Sequence, residues 1–322
     1  MSNDSLPKRN FLELRVCGLQ RSGNHAIINW ILDQHHGKAS CFLNNVRHGD
    51  HDPFKTARQC YFKKLRNTYD VEHVRNTQKH VLVYSYEDDL SQMQKSKSFI
   101  ESVYDKNFEE VRDQYIGLNE KYLDVIIIRD PFNFFASRIE MLESLTGTQD
   151  LGSIKNDWKE LAKLSLDVIK NSDEKYFVIK YNDWFSDKKY RVTLCQQLYG
   201  NFSDDSLSSL SYFGGGSSFD LKHHNRLTLR IFLKEWKKII TPARWVNVGH
   251  YVKRLFAPGA QSMRVLERWK NVQDNVRFQR VLADREVLEL SENLFGQIPG
   301  TREFVEQCIK WHASNHQAPL QD

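Results

Sequence analysis

The strongest constraint on this chain lies near its start. Leu12–Cys17 (LELRVC) alternates and is rich in strand formers. It runs into Gly18-Leu19-Gln20-Arg21-Ser22-Gly23, and Asn24–His35 then carries apolar residues at helical spacing. The pattern predicts strand, tight loop, helix. The two glycines have the G-x-x-x-x-G spacing of a phosphate-cradling loop, whose backbone N–H groups and following helix dipole face an anion. Arg21 puts a cation at the loop tip, where it reaches an anionic group or neutralises a leaving phosphate; the alternative is an ordinary turn with a solvated Arg. Nucleotide-triphosphate loops continue with Lys and Ser/Thr, which hold the terminal phosphates and Mg²⁺. Asn24 and His25 stand there instead, which disfavours a metal-dependent ATP or GTP user.

Further short strands are expected at Val81–Tyr86, Leu123–Ile128 and Tyr176–Lys180, each followed by a helical stretch. Strands separated by helices predict an α/β fold of three layers, P-loop-like, with a central parallel sheet and helices on both faces. Arg226–Trp311 reads as mostly helical, a largely helical C-terminal portion. Ser206–Phe219 (SLSSLSYFGGGSSF) is expected to be a mobile Gly/Ser-rich loop within a single domain spanning 1–322.

Composition narrows the function classes. Hydrophobic residues at 40% and aromatics at 12% suffice for a folded enzyme core. The five cysteines are scattered without a CxxC pair, which fits a reducing compartment and argues against a zinc or disulfide framework. The first ten residues lack a signal peptide's apolar core, and runs such as Val125–Ile128 are too short to span a bilayer. A soluble, cytoplasmic protein without membrane association is expected. A net charge of +5, spread along the chain, suits a small polyanionic ligand better than a nucleic acid.

Leu123–Arg138 (LDVIIIRDPFNFFASR) is a second candidate segment. A buried-type strand ends at Arg129, Pro131 opens the next element, and Ser137 falls about two turns into the following helix. An Arg at a strand's carboxyl end and a nearby helical Ser can converge on one phosphate; the alternative is an Arg–Asp surface pair and a buried Ser.

Together the two segments resemble the family of sulfotransferases that use 3′-phosphoadenosine-5′-phosphosulfate (PAPS). The family's (K/R)-S-G-T-T loop matches Arg21-Ser22-Gly23-Asn24-His25, and its R-(N/D)-P-x-x-x-x-x-S matches Arg129-Asp130-Pro131 through Ser137. The resemblance implies a sulfotransferase that moves a sulfuryl group to a hydroxyl or amine of a small-molecule acceptor, releasing 3′-phosphoadenosine-5′-phosphate (PAP) without a metal. It implies that Arg21, Ser22, Gly23, Asn24 and His25 hold the 5′-phosphosulfate, and that Arg129 and Ser137 hold the 3′-phosphate. Tyr181-Asn-Asp-Trp is similar to a Tyr-Glu-Asp segment whose Tyr lies near the adenine. Arg268-Trp-Lys-Asn271 is similar to a segment that closes over the nucleotide, with Arg264 or Arg268 as its phosphate clamp. The loop also resembles those of bacterial natural-product tailoring enzymes, including the saxitoxin pathway. Threonines of the family are replaced by Asn24 and His25, and Ala26 stands where an aromatic meets the adenine; Trp30, one turn on, is read as core or as its replacement.

Transfer needs a proton acceptor. By the resemblance it lies after the strand Val81–Tyr86, where Glu87 is the first candidate and Asp88 the second. The alternative reading makes Glu87–Asp89 the acidic first turn of a helix. His48 is a rival catalytic base, with His51 beside it. These loop histidines lack the spacing of a metal site, and the pairs His35-His36 and His223-His224 read as solvated. Two other functions remain open: an atypical phosphoryl transferase using ATP, and a PAP-binding protein without catalysis.

Overall fold

The computed structural model describes residues 8–63, 65–66, 70–88, 97–144, 151–208 and 265–315. Seven strands share one sheet: β1 (Lys8–Gly18), β2 (Ser40–Asn44), β3 (Gln59–Phe62), β4 (Leu65–Arg66), β5 (Lys79–Tyr86), β6 (Leu118–Ile128) and β7 (Tyr176–Lys180). Their spatial order is β4-β3-β2-β5-β1-β6-β7. The five strands from β2 to β7 in that order are parallel, as expected. The sheet is nevertheless mixed, because β3 and β4 are antiparallel additions at one edge. After β2 the chain returns alongside it without a full crossover, which only antiparallel pairing permits.

Ahead of β6 in the chain come α1 (Asn24–Asp33), α2 (Pro53–Thr56), α3 (Val71–Asn76), α4 (Phe99–Val103) and α5 (Lys106–Ile116). They are followed by α6 (Pro131–Ser144), α7 (Leu151–Asn171), α8 (Tyr181–Ser186) and α9 (Lys188–Gln197). In the C-terminal part, α10 (Val276–Leu282), α11 (Arg285–Phe295) and α12 (Arg302–Asn315) bear out the helical expectation for the described residues there. Asp205–Ser208 is a short 3-10 turn, while 209–219 and the pair His223-His224 lie outside the described residues.

Alternation along each buried strand divides the core into two layers. Leu12, Leu14 and Val16 of β1, with Val81, Val83, Val125, Ile127 and Ile179, face α1, α8 and α9. On the opposite face, Leu82, Tyr84, Tyr86, Ile126 and Ile128 meet α4–α7 and the C-terminal helices. Both faces being covered explains why β5 and β6 read as nearly continuous apolar runs. Trp30 is a core residue against the edge of Trp184, with ring centroids 6.2 Å apart. His35 is not solvated: it is buried, and burial lowers its pKa to about 4.

The polar members of β1 are buried too. Arg15 donates to Asp124, its register partner on β6, and to Glu109, with its guanidinium 4.6 Å from the ring centre of Tyr104. Glu13 accepts from Tyr84 Oη at 2.8 Å and Asn119 Nδ2 at 2.5 Å. Burial, opposed by Arg112 and the Tyr84 hydrogen bond, pushes the Glu13 carboxyl from the ordinary 4.5 up to about 7.

A raised carboxyl pKa means that the folded chain keeps a proton that the unfolded chain has released. Glu13 should therefore withdraw roughly 3 kcal/mol of stability as pH rises through the window from about 4.5 to about 7. Other buried groups, His35 among them with the opposite sign, titrate in the same range, so the share of Glu13 is read by difference: in urea unfolding the wild type should lose stability relative to Glu13→Gln as pH rises. An unchanged slope in Glu13→Gln would mean that Glu13 does not titrate there.

Candidate functional site

The sheet is built outward from β1 in both directions, through β5 and β2 on one side and through β6 and β7 on the other. The carboxyl end of β1 is thus the topological switch point, where open α/β sheets form their crevice. The candidate residues converge on that edge. The Leu19–Gly23 loop follows β1, Glu87 and Asp88 follow β5, Arg129 and Asp130 follow β6, and Tyr181 follows β7.

The loop turns tightly, with the Ser22 N–H on Leu19 O at 3.1 Å. Gly23 caps α1 with φ 91°, and a side chain there would collide with the ring of Tyr181. Arg21 also has a positive φ, 77°, a conformation that strains a non-glycine residue by about 1 kcal/mol or more. Its half-buried guanidinium reaches Met141 Sδ at 3.3 Å. Burial first, then the neighbouring Arg138, lowers the Arg21 pKa, while Glu87 and Glu140 oppose the shift.

Asn24 turns back under the loop. Its Nδ2 donates to Gly18 O (3.0 Å), Leu19 O (3.1 Å) and Glu87 Oε1 (3.0 Å). All three neighbours are acceptors, which fixes the orientation of the amide. A Cβ on Gly18 would strike this amide, so Gly18 and Asn24 are a matched pair. His25 Nε2 lies 2.9 Å from Asn44 Oδ1 at the end of β2. The side chains that replace the Lys and Ser/Thr of triphosphate loops are therefore engaged inside the protein.

Glu87 does not begin a helix: β5 ends at Tyr86, residues 87–88 have no regular structure, and Asp89 lies outside the described residues. Glu87 is 9% exposed and tied to the loop through Asn24. His48 is wholly buried against Tyr86 and Phe99, with Nε2 3.0 Å from Glu87 O. A carbonyl oxygen only accepts, so this nitrogen is a donor and not a proton acceptor. His51 lies apart, partly exposed beside Asp50. Both carboxylate oxygens of Asp88 are engaged, one by the Gln20 N–H at 2.6 Å and the other by Arg138 Nη2 at 2.7 Å.

Arg129 is no surface residue, and neither is Asp130. The Arg129 guanidinium bonds Arg21 O (3.1 Å) and Val265 O (2.7 Å) and sits 4.8 Å from the ring centre of Tyr181. Its Nε is buried without a partner among the described residues, a spare donor beside the loop. Asp130 caps α6 by accepting the Asn133 N–H at 2.9 Å, and Asn133 in turn bonds Leu266 O at 3.0 Å. These contacts dock residues 265–271 onto α6. Burial raises the Tyr181 pKa, opposed by Arg129 and then by Arg268, which this docking brings close. Ser137 is buried two turns into α6; Arg264 lies outside the described residues.

Three contributors escaped the sequence reading. Arg138 follows Ser137 directly yet points to Asp88, and nothing in its spacing marks it. Trp158 on α7 donates from Nε1 to Arg129 O at 3.0 Å, far from Arg129 in the chain. Its neighbour Asp157 has its carboxyl pushed up to about 7 by burial and by Asp88 and Glu160. Among the described residues no group of three or more His, Cys, Asp or Glu gathers as a metal cluster, and no helix is long and apolar enough to cross a membrane.

Gly23→Ala should destabilise the chain by about 2–4 kcal/mol in urea unfolding, combining left-handed strain with overpacking against Tyr181. Adding Tyr181→Ala should remove the collision penalty and leave the strain of about 1 kcal/mol. If the two substitutions were simply additive, the contact would not be what excludes a side chain at Gly23.

No family model matches this chain, and no curated protein matches it. Solved structures do. A sulfotransferase domain from the Synechococcus PCC 7002 olefin synthase is similar at 14% identity and TM-score 0.38, over 77% of this chain and 96% of that one. Mouse sulfotransferase SULT7A1, complexed with PAP, is similar at 12% identity and TM-score 0.39, over 87% and 89%. A sulfotransferase domain from the curacin biosynthetic pathway is similar at 13% identity and TM-score 0.32, over 74% and 93%. With likenesses this distant, the functional reading rests on the chain's own residues and on the three-layer α/β fold that carries them.

Proposed function

We propose that this chain is a PAPS-dependent sulfotransferase acting on a hydroxyl or amine of a small-molecule acceptor. The observation that carries the reading is the bond from Asn24 to Glu87: it ties a phosphate loop to a carboxylate on the neighbouring strand end. An anion site and a proton acceptor are thereby held in one cluster. The same amide, with His25 on Asn44, occupies the positions that a Mg²⁺-nucleoside triphosphate would need. The spare buried Nε of Arg129 fits a further anionic group beside the loop.

When bound, PAPS supplies the sulfuryl group and a bisphosphate leaving group. The N–H groups at the start of α1, with Arg21, Ser22, Gly23 and His25, face the 5′ end, where the helix dipole favours an anion. Arg129 and Ser137 take the 3′-phosphate, Tyr181 borders the adenine, and Arg268 closes the C-terminal side. Glu87 receives the acceptor's proton as the new bond to sulfur forms and the bond from sulfur to the 5′-phosphate oxygen breaks. Arg21 offsets the charge that builds on that oxygen. His48, donating to the Glu87 carbonyl, orients the base from behind. The whole chain would act as one catalytic unit in the cytoplasm, without membrane or nucleic-acid partners.

Calorimetry should find micromolar or tighter binding of PAP and little binding of ATP with magnesium. Preference for ATP would move the site to phosphoryl transfer. Arg129→Ala should weaken PAP by about 10- to 100-fold, and by more than it weakens adenosine-5′-phosphosulfate; equal losses would detach Arg129 from the 3′-phosphate. Glu87→Gln should slow turnover of PAPS by about 100-fold or more while PAP still binds. Full turnover in Glu87→Gln would remove it as base, and PAP binding without any transfer in the wild type would make the chain a binding protein.

A further inference from the structure

Asp88 and Arg138 are 3% and 1% exposed, and no step of the proposed transfer uses them. Their geometry addresses the phosphate loop. Asp88 holds the Gln20 N–H with one oxygen and Arg138 Nη2 with the other, while Arg138 Nη1 lies 3.4 Å from Gln20 Oε1. Two neighbouring groups of the loop are also fixed inward, the Arg21 carbonyl by Arg129 and the Ser22 N–H by Leu19 O. With Gln20, Arg21 and Ser22 anchored in this way, the orientation of the following peptides is set. We propose that Asp88 and Arg138 are positioning residues that set the loop for a 5′-phosphate group, an inference that rests on the sulfuryl-transfer reading for the ligand's identity.

Charge explains why two residues are needed. A carboxylate is the strongest acceptor for a backbone N–H, but alone beneath an anion site it would repel the ligand. Arg138 cancels it. Arg138 alone would press on Arg21, which already feels its charge. As a pair they anchor the loop and add no net charge beneath it. A buried ion pair is weak evidence for stability, because desolvation offsets the attraction. Its retention under a ligand loop is better explained by geometry than by folding energy.

Removing one partner would strand a buried charge, so the test removes both. Asp88→Leu with Arg138→Met should fold, as judged by thermal unfolding, because apolar replacement of a buried pair is often tolerated. Calorimetry would compare PAP, adenosine 5′-monophosphate and adenosine 3′-monophosphate. Affinity for the first two should fall by about 10- to 100-fold, the effect of one or two lost bonds to a charged group, and the third should stay within about twofold. Arg138→Lys, which keeps the charge, should restore most of the affinity; should the double variant not fold, Asp88→Asn with Arg138→Gln, which keeps both volumes and weakens the hold on the Gln20 N–H, gives the same comparison with a smaller loss for the first two ligands. Equal losses for all three ligands, or no loss, would overturn the inference. A wild type that binds adenosine 5′-monophosphate and ATP but not PAP would sink the sulfuryl-transfer reading alone, and the loop would be tested with ATP in the series. A wild type that binds no 5′-phosphate ligand would sink both.

Discussion

Strand β1 is hydrogen-bonded on both sides, by β5 and by β6, and the chain leads away from it to both edges of the sheet. The loop after it therefore stands between the carboxyl ends of two flanking strands, above a packed core. Each site element is a consequence of this placement. The neighbouring strand on one side delivers Glu87 and Asp88, and the neighbour on the other delivers Arg129, both within reach of a loop only a few residues long.

The loop owes its shape to partners on both sides. From β5 come Asp88, which takes the Gln20 N–H, and Glu87, which receives the Asn24 amide. From β6 comes Arg129, which takes the Arg21 carbonyl and reaches on to Val265. The path of the loop, the placement of the Glu87 carboxylate and the docking of residues 265–271 are therefore one mechanical problem. A change in any of the three clamps would be felt at the other two.

Much of this was legible in the sequence, for physical reasons that can be named. The strands near 12, 81, 123 and 176 are buried on one or both faces and declare themselves by composition. The loop declares itself by two glycines, of which Gly23 needs its positive φ and both lack room for a side chain. What was not legible depended on partners distant in the chain. Asp88 reads as a free carboxylate until Arg138 is brought to it by α6. His48 reads as an accessible base until it is found wholly buried with its Nε2 on a carbonyl, and His35 reads as solvated until the fold buries it. The short edge strands β3 and β4 follow no buried alternation, and Glu13 and Arg15 look like the outer face of a half-exposed strand although helices cover them.

The pairing of Arg15 with Asp124 has a consequence for how the chain finds this arrangement. Both groups are almost fully buried, and they stand opposite one another in the ladder. Sliding β6 by one residue along β1 would set Arg15 against Leu123 or Val125 and enclose two unmatched charges, at a cost of several kcal/mol. The ion pair thus acts as a proofreading peg for strand alignment. Because Gly18 is aligned with Ile127 in the same ladder, the peg also decides how far Arg129 projects beyond the loop, several residues away from any atom it touches.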